Sequence, residues 1–86
     1  MTFEILWRAK ALKDLRKLPK DISRRIVEKV DNAADQPGEY VEKLRHDQGY
    51  KLRVGDYRVI LDIYEHDNLI VIRIVDHRKN VYKRVS

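Results

Sequence analysis

Tyr50-Lys51-Leu52-Arg53-Val54-Gly55-Asp56-Tyr57-Arg58 is the stretch on which this 86-residue chain turns. Strand side chains alternate between faces, so Tyr50, Leu52 and Val54 fall on one side and Lys51 and Arg53 on the other. Gly55-Asp56 suits a two-residue hairpin loop, with Gly where a positive φ is required. That loop sets Val54 opposite Tyr57 and Arg53 opposite Arg58, which gathers Lys51, Arg53 and Arg58 on one side of a sheet. Exposed strand cations can simply discourage edge-to-edge pairing. Two directly opposed arginines, however, cost stability, and they point to an anion that they hold, most naturally a phosphate.

Outward from the hairpin, Tyr57 to Tyr64 continues as a strand whose Tyr57, Val59, Leu61 and Ile63 share the apolar face. Glu65-His66-Asp67-Asn68 forms a polar turn, and the β-branched run Leu69 to Val75 is expected to be the central strand. A four-residue loop places Ile70, Ile72 and Ile74 on the face of Leu61 and Ile63. Upstream, Thr2 to Trp7 alternates as a first strand. Ala9 to Leu18 takes helical spacing through Ala9, Leu12, Leu15 and Leu18. Pro19 is placed as the first residue of a second helix, whose stripe is Ile22, Ile26, Val27, Val30, Ala33 and Ala34 and whose end is Gln36-Pro37-Gly38. Tyr40 to Arg45 reads as a helical turn. The fold class is α+β: an N-terminal strand, a helical hairpin packed on an antiparallel sheet and a short C-terminal tail. One sheet face is apolar for the helices and one polar for solvent or ligand. Residues 1–86 form a single domain, without repeats or a linker.

Hydrophobic residues make up 43% of the chain and charged residues 38%, a balance that supports a compact core and argues against disorder. The chain has no cysteine, which excludes disulfides and thiolate metal sites and fits a reducing compartment. The longest apolar run, Leu69 to Ile72, is far short of the roughly 20 residues of a membrane helix, and no secretory signal precedes Phe3. A soluble, cytoplasmic protein is expected. The net charge of +5, from 19 basic and 14 acidic residues, favours a polyanionic partner. His77 to Ser86 is a run without a counter-charge, holding Arg78, Lys79, Lys83 and Arg84. The spacing of His46, His66 and His77 suggests no metal site.

The segments Ala9 to Pro19, Glu42-Lys43-Leu44-Arg45, Tyr50-Lys51-Leu52-Arg53, Gly55-Asp56-Tyr57-Arg58 and His77-Arg78-Lys79-Asn80-Val81-Tyr82, in this order and spacing, resemble the RelE/ParE superfamily of toxins from prokaryotic toxin-antitoxin pairs, and most closely its RelE branch. The resemblance implies a ribosome-dependent endoribonuclease that enters the ribosomal A site, on the small subunit, and cuts the mRNA codon there, by attack of a ribose 2′-hydroxyl on the adjacent phosphate. It implies no metal or other cofactor, and a cognate RelB-like antitoxin that holds the toxin inactive in a hetero-oligomer. The active positions of that branch fall on Lys51, Arg53, Arg58, Arg78 and Tyr82. At Arg53 the sequence departs from the best-known members, which carry a lysine that is a candidate general base. Arginine, which stays protonated in proteins, accepts protons poorly. The base is then Lys51 or a group of the ribosome. Arg78 and Tyr82 are also closer together than in the best-known enterobacterial member.

The residues support this chemistry independently of the resemblance. Cations preorganised on a sheet can stabilise charge that develops on phosphorus without a metal. Arg53 and Arg58 are a natural clamp, Arg78 can approach the same phosphate or the leaving oxygen, and Tyr82 can position a ribose or stack on a base. Each also has a plainer role: Arg78 as a terminal surface charge, Tyr82 as a ring tucked onto the core, His77 as a structural residue. Two other functions share the fold: a ParE-like inhibitor of DNA gyrase without chemistry of its own, and a catalytically inactive RNA-binding homologue. The cationic set with Arg78 and Tyr82 separates the nuclease from the gyrase inhibitor. A small domain can leave part of its helical groove open, which an acidic or amphipathic antitoxin segment would fill while covering part of the cationic face.

Overall fold

The computed structural model describes residues 2–85; Met1 and Ser86, the ends of the expected 1–86 domain, lie outside the described residues. Strand β1 (Glu4–Trp7) leads into helices α1 (Ala9–Arg16) and α2 (Lys20–Asp35). A single turn, α3 (Pro37–Tyr40), precedes β2 (Val41–Lys43), β3 (Tyr50–Val54), β4 (Tyr57–Tyr64), β5 (Leu69–His77) and a last helix α4 (Val81–Val85). The strand order is β1-β5-β4-β3-β2, with β1 parallel to β5 and the other neighbours antiparallel. The expected α+β class is present as a mixed sheet with helices on it. β5, the run expected to be central, is interior between β1 and β4, while the middle place belongs to β4.

The quoted hairpin forms in the expected register: Arg53 pairs with Arg58 and Val54 with Tyr57. Gly55 takes φ 58° at the first turn position, the positive value for which glycine has no steric cost. Tyr40 to Arg45 contains a short edge strand rather than a helical turn. β2 pairs Glu42 with Lys51 on β3, and a 3-10 turn at Arg45–Asp47 returns the chain. Pro19 stands just before α2, with φ −55° and an extended ψ of 147° that turns the corner between the two helices. Its carbonyl accepts the N–H groups of Ile22 and Ser23 at 3.1 and 3.0 Å.

The main core lies between the helical hairpin and one sheet face. Ile26, Val30, Ala33 and Ala34 of α2 and Ala11 of α1 meet Leu52, Val59, Leu61, Ile70 and Ile72. On α1 the buried side is Ala11, with Leu15 and Leu18 partly buried, rather than a stripe begun at Ala9, which is exposed. Leu12 and Val27 also remain exposed, where they line a groove between α1 and α2.

A β-bulge overturns one expectation. Ile60 pairs with Ile74 and Leu61 with Ile72, so Arg73 is an extra residue on β5. The extra residue returns Val75 to the helix-facing side and sends Ile74 to the opposite one. There Ile74 joins Ile60, Val81 and Val85, with Leu44 against them, in a second small core. The face expected to be polar is therefore divided, with part of it covered by α4. The short C-terminal tail is that helix.

Candidate nucleic-acid interface

On the face that α4 shares, the sequence places Lys51 and Arg53 on β3 and Arg58 on β4. The bulge lies beyond them, so their alternation from the hairpin is undisturbed. Arg58 folds back toward the turn, and its Nη1 donates to the carbonyls of Gly55 and Tyr57, both at 2.8 Å. Two fixed acceptors hold the guanidinium plane and leave its other N–H groups for a ligand. Arg53, its cross-strand neighbour, is exposed. Among the described residues neither arginine has a carboxylate within ion-pair distance.

Arg78 leaves β5 at the hairpin tip. Its backbone N–H donates to the Asp56 carbonyl at 2.8 Å, and its Nε lies 3.7 Å from the Asp56 carboxylate in a solvated pair worth little. The backbone bond fixes the Cα of Arg78 while the side chain stays more than half exposed. At the other end of the face, Lys51 Nζ lies 3.7 Å from Glu42 Oε2 and 5.8 Å from the centre of the Tyr82 ring. The Tyr82 ring is 46% exposed rather than tucked onto the core. The structure thus brings Arg58 and Arg78 to the hairpin tip and Lys51 to Tyr82, with Arg53 directly across from Arg58. His77 has a structural place: its Nδ1 accepts the Lys79 N–H at 3.2 Å and its ring meets Tyr57 edge-on at 5.5 Å.

A cluster that sequence reading passed over borders this face. Arg84 Nη1 donates to Asp76 Oδ2 at 2.9 Å and its Nη2 to Asp14 Oδ2 at 3.1 Å. Burial disfavours both charges. For Asp76, the Arg84 hydrogen bond and the His77 N–H more than offset this and hold the carboxyl below the usual carboxylate range. For Arg84, the two carboxylates raise an already high value. Asp14 could have been noticed in the sequence, since it falls within the helical spacing of Ala11, Leu15 and Leu18, where a carboxylate needs a partner.

The site is an open face, not a cavity. A groove of roughly 470 Å³ lies on the other side of the molecule, lined by Leu12, Leu15 and Val27 together with Arg16, Lys20, Arg24 and Glu28. An open cationic face with one exposed aromatic suits a polymeric anion better than a small molecule. Among the described residues there is no group of three or more His, Asp or Glu that could hold a metal ion, and no helix long and apolar enough to cross a membrane.

Comparison with known proteins bears on the family and the fold. Residues 5–82 match the model of the family described as ParE toxin of type II toxin-antitoxin system. Among solved structures, the chain is similar to a toxin-antitoxin complex RelBE from Mycobacterium tuberculosis, at 28% identity over 91% of this chain and 100% of that one, with TM-score 0.84. It is similar to the archaeal RelE-RelB complex from Pyrococcus horikoshii at 32% identity, over 91% and 97% of the two chains, with TM-score 0.76. A free mutant form of the Escherichia coli toxin RelE shares the fold, with TM-score 0.80 at 22% identity over 99% and 95% of the chains. A search of curated proteins returned no match.

Proposed function

The chain belongs to the RelE/ParE superfamily, the toxins of type II toxin-antitoxin systems, on its RelE branch, and from that membership we propose that it is an endoribonuclease cutting mRNA in the ribosomal A site. The observation that carries the reading is the pair Arg53 and Arg58, opposed across β3 and β4 and, among the described residues, without a carboxylate within ion-pair distance. The ribose 2′-oxygen attacks the adjacent phosphorus and the 5′-oxygen of the next nucleotide leaves, giving a 2′,3′-cyclic phosphate and a 5′-hydroxyl. Arg58, its plane set by two carbonyls, and Arg53 stabilise the charge that grows on the phosphoryl oxygens. Arg78 stabilises the charge on the leaving 5′-oxygen from the hairpin tip, and that oxygen takes its proton from water. Tyr82 orders a ribose or base beside Lys51. The 2′-hydroxyl proton passes to Lys51 or to a group of the ribosome.

The partner is a RelB-like antitoxin, as the relatives from Mycobacterium tuberculosis and Pyrococcus horikoshii are complexes of toxin with antitoxin. The groove between α1 and α2, apolar at Leu12 and Val27 and basic along its side, accepts an acidic amphipathic segment. A cytoplasmic location follows from a ribosomal target.

Inhibition of DNA gyrase is the second reading, favoured by the ParE description of the matching family. Primer extension on a defined mRNA, with and without ribosomes, separates the two. Ends within the A-site codon that depend on ribosomes are expected. Intact mRNA alongside inhibited gyrase supercoiling would move the second reading ahead.

A further inference from the structure

Helix α4 is five residues long, too short to hold its own geometry in water. Its apolar contact is narrow: Val81 and Val85 on Ile60, Ile74 and Leu44. Two valines on a small patch fix the depth of a helix better than its rotation. Yet α4 carries Tyr82, whose ring must stand at one place over β3 if it meets Lys51. Something else has to set the rotation.

We propose that Arg84 is a positioning residue, which anchors α4 to α1 and β5 so that Tyr82 is held at the cationic face. Its guanidinium reaches both Asp14 oxygens, at 3.3 and 3.1 Å, and Asp76 Oδ2 at 2.9 Å. Each carboxylate is itself fixed to the backbone of β5. Asp14 Oδ2 accepts the Val75 N–H at 3.0 Å, and Asp76 Oδ1 accepts the His77 N–H at 2.7 Å. The planar fork of an arginine spans two acceptors in a set orientation, which a point charge does not. Tyr82 lies two positions before Arg84, about 200° around the helix, so an anchor on the β5 side turns Tyr82 toward β3.

The inference rests on the nuclease reading for its effect on rate, but not for its effect on structure. The Lys51 ε-methylene resonances are shifted by the Tyr82 ring current, and Tyr82→Ala gives their unshifted position. Arg84→Ala and Arg84→Lys should both move them to that position while circular dichroism shows the fold retained; the lysine variant keeps a charge in place should the alanine variant fail to fold. Single-turnover cleavage should fall about 100-fold in Arg84→Ala, the order expected of misplacing a group by an ångström. It should fall no further in Arg84→Ala/Tyr82→Ala than in Tyr82→Ala, with ribosome affinity kept. Unmoved Lys51 resonances, or losses that multiply in the double variant, would overturn the proposal. If the parent protein does not cleave at all, the nuclease reading has failed and the resonances alone decide the positioning role.

Discussion

Asp76 shows how one side chain can sit among cations without cancelling them. Its folded-state pKa lies below its ordinary value, so the unfolded chain binds this proton more readily. The stability it contributes is complete above about pH 4 and is lost as the pH falls through the lower folded value. In thermal unfolding, Asp76→Asn should therefore lie below the parent at neutral pH, and the gap should close toward pH 2. A gap of constant size would show that the carboxylate charge is not what stabilises. Tyr82 offers a different test, because its ring rather than its hydroxyl meets Lys51. Tyr82→Phe should keep cleavage within about tenfold of the parent, while Tyr82→Ala loses about 100-fold. Equal losses would place the role on the hydroxyl.

Between β2 and β3 the chain is held by backbone geometry more than by packing. His46 and Asp47 take positive φ, and Gly49 follows at φ 101°. A Cβ on Gly49 would meet the Leu61 carbonyl at 2.7 Å. Beside it, Arg73, the extra residue of the bulge, donates to the Gln48 carbonyl at 2.8 Å and pairs with Asp62 at 3.2 Å. Gly49→Ala should cost about 1–3 kcal/mol in chemical denaturation, through strain and the displaced carbonyl together. A loss under about half a kcal/mol would mean that the loop simply relaxes. This corner was not legible in the sequence. Periodicity gave the β3–β4 hairpin residue by residue, because alternation and a Gly-Asp loop fix one register. The bulge has no such mark. Arg73 reads as an ordinary outward strand residue, and only pairing with β4 shows that Ile74 has changed face. The division of the polar face was lost with it. Of the candidate site, the strand cations were legible as neighbours because period two is local. The meeting of Tyr82 with Lys51 depends on α4 crossing the sheet, and the place of Arg84 on Asp14, which is far away in sequence.

The molecule as a whole presents two unlike surfaces, a cationic face around the β3–β4 hairpin and an apolar groove between α1 and α2. An antitoxin segment that fills the groove buries Leu12 and Val27. Leu12→Glu/Val27→Glu should weaken capture by the cognate antitoxin at least tenfold while leaving cleavage intact. Undiminished capture would place the antitoxin elsewhere. RNA affinity should fall steeply with salt, as phosphate contacts require. The central claim is that Arg58 and Arg78 act on charge that develops only during cleavage. Single-turnover cutting of an A-site codon, measured beside ribosome binding for Arg58→Ala and Arg78→Ala, tests it most directly. Each variant should cut about 100-fold to 1,000-fold more slowly, with binding changed far less. Cutting at the parent rate in both would contradict the site and leave the cationic face a binding surface alone.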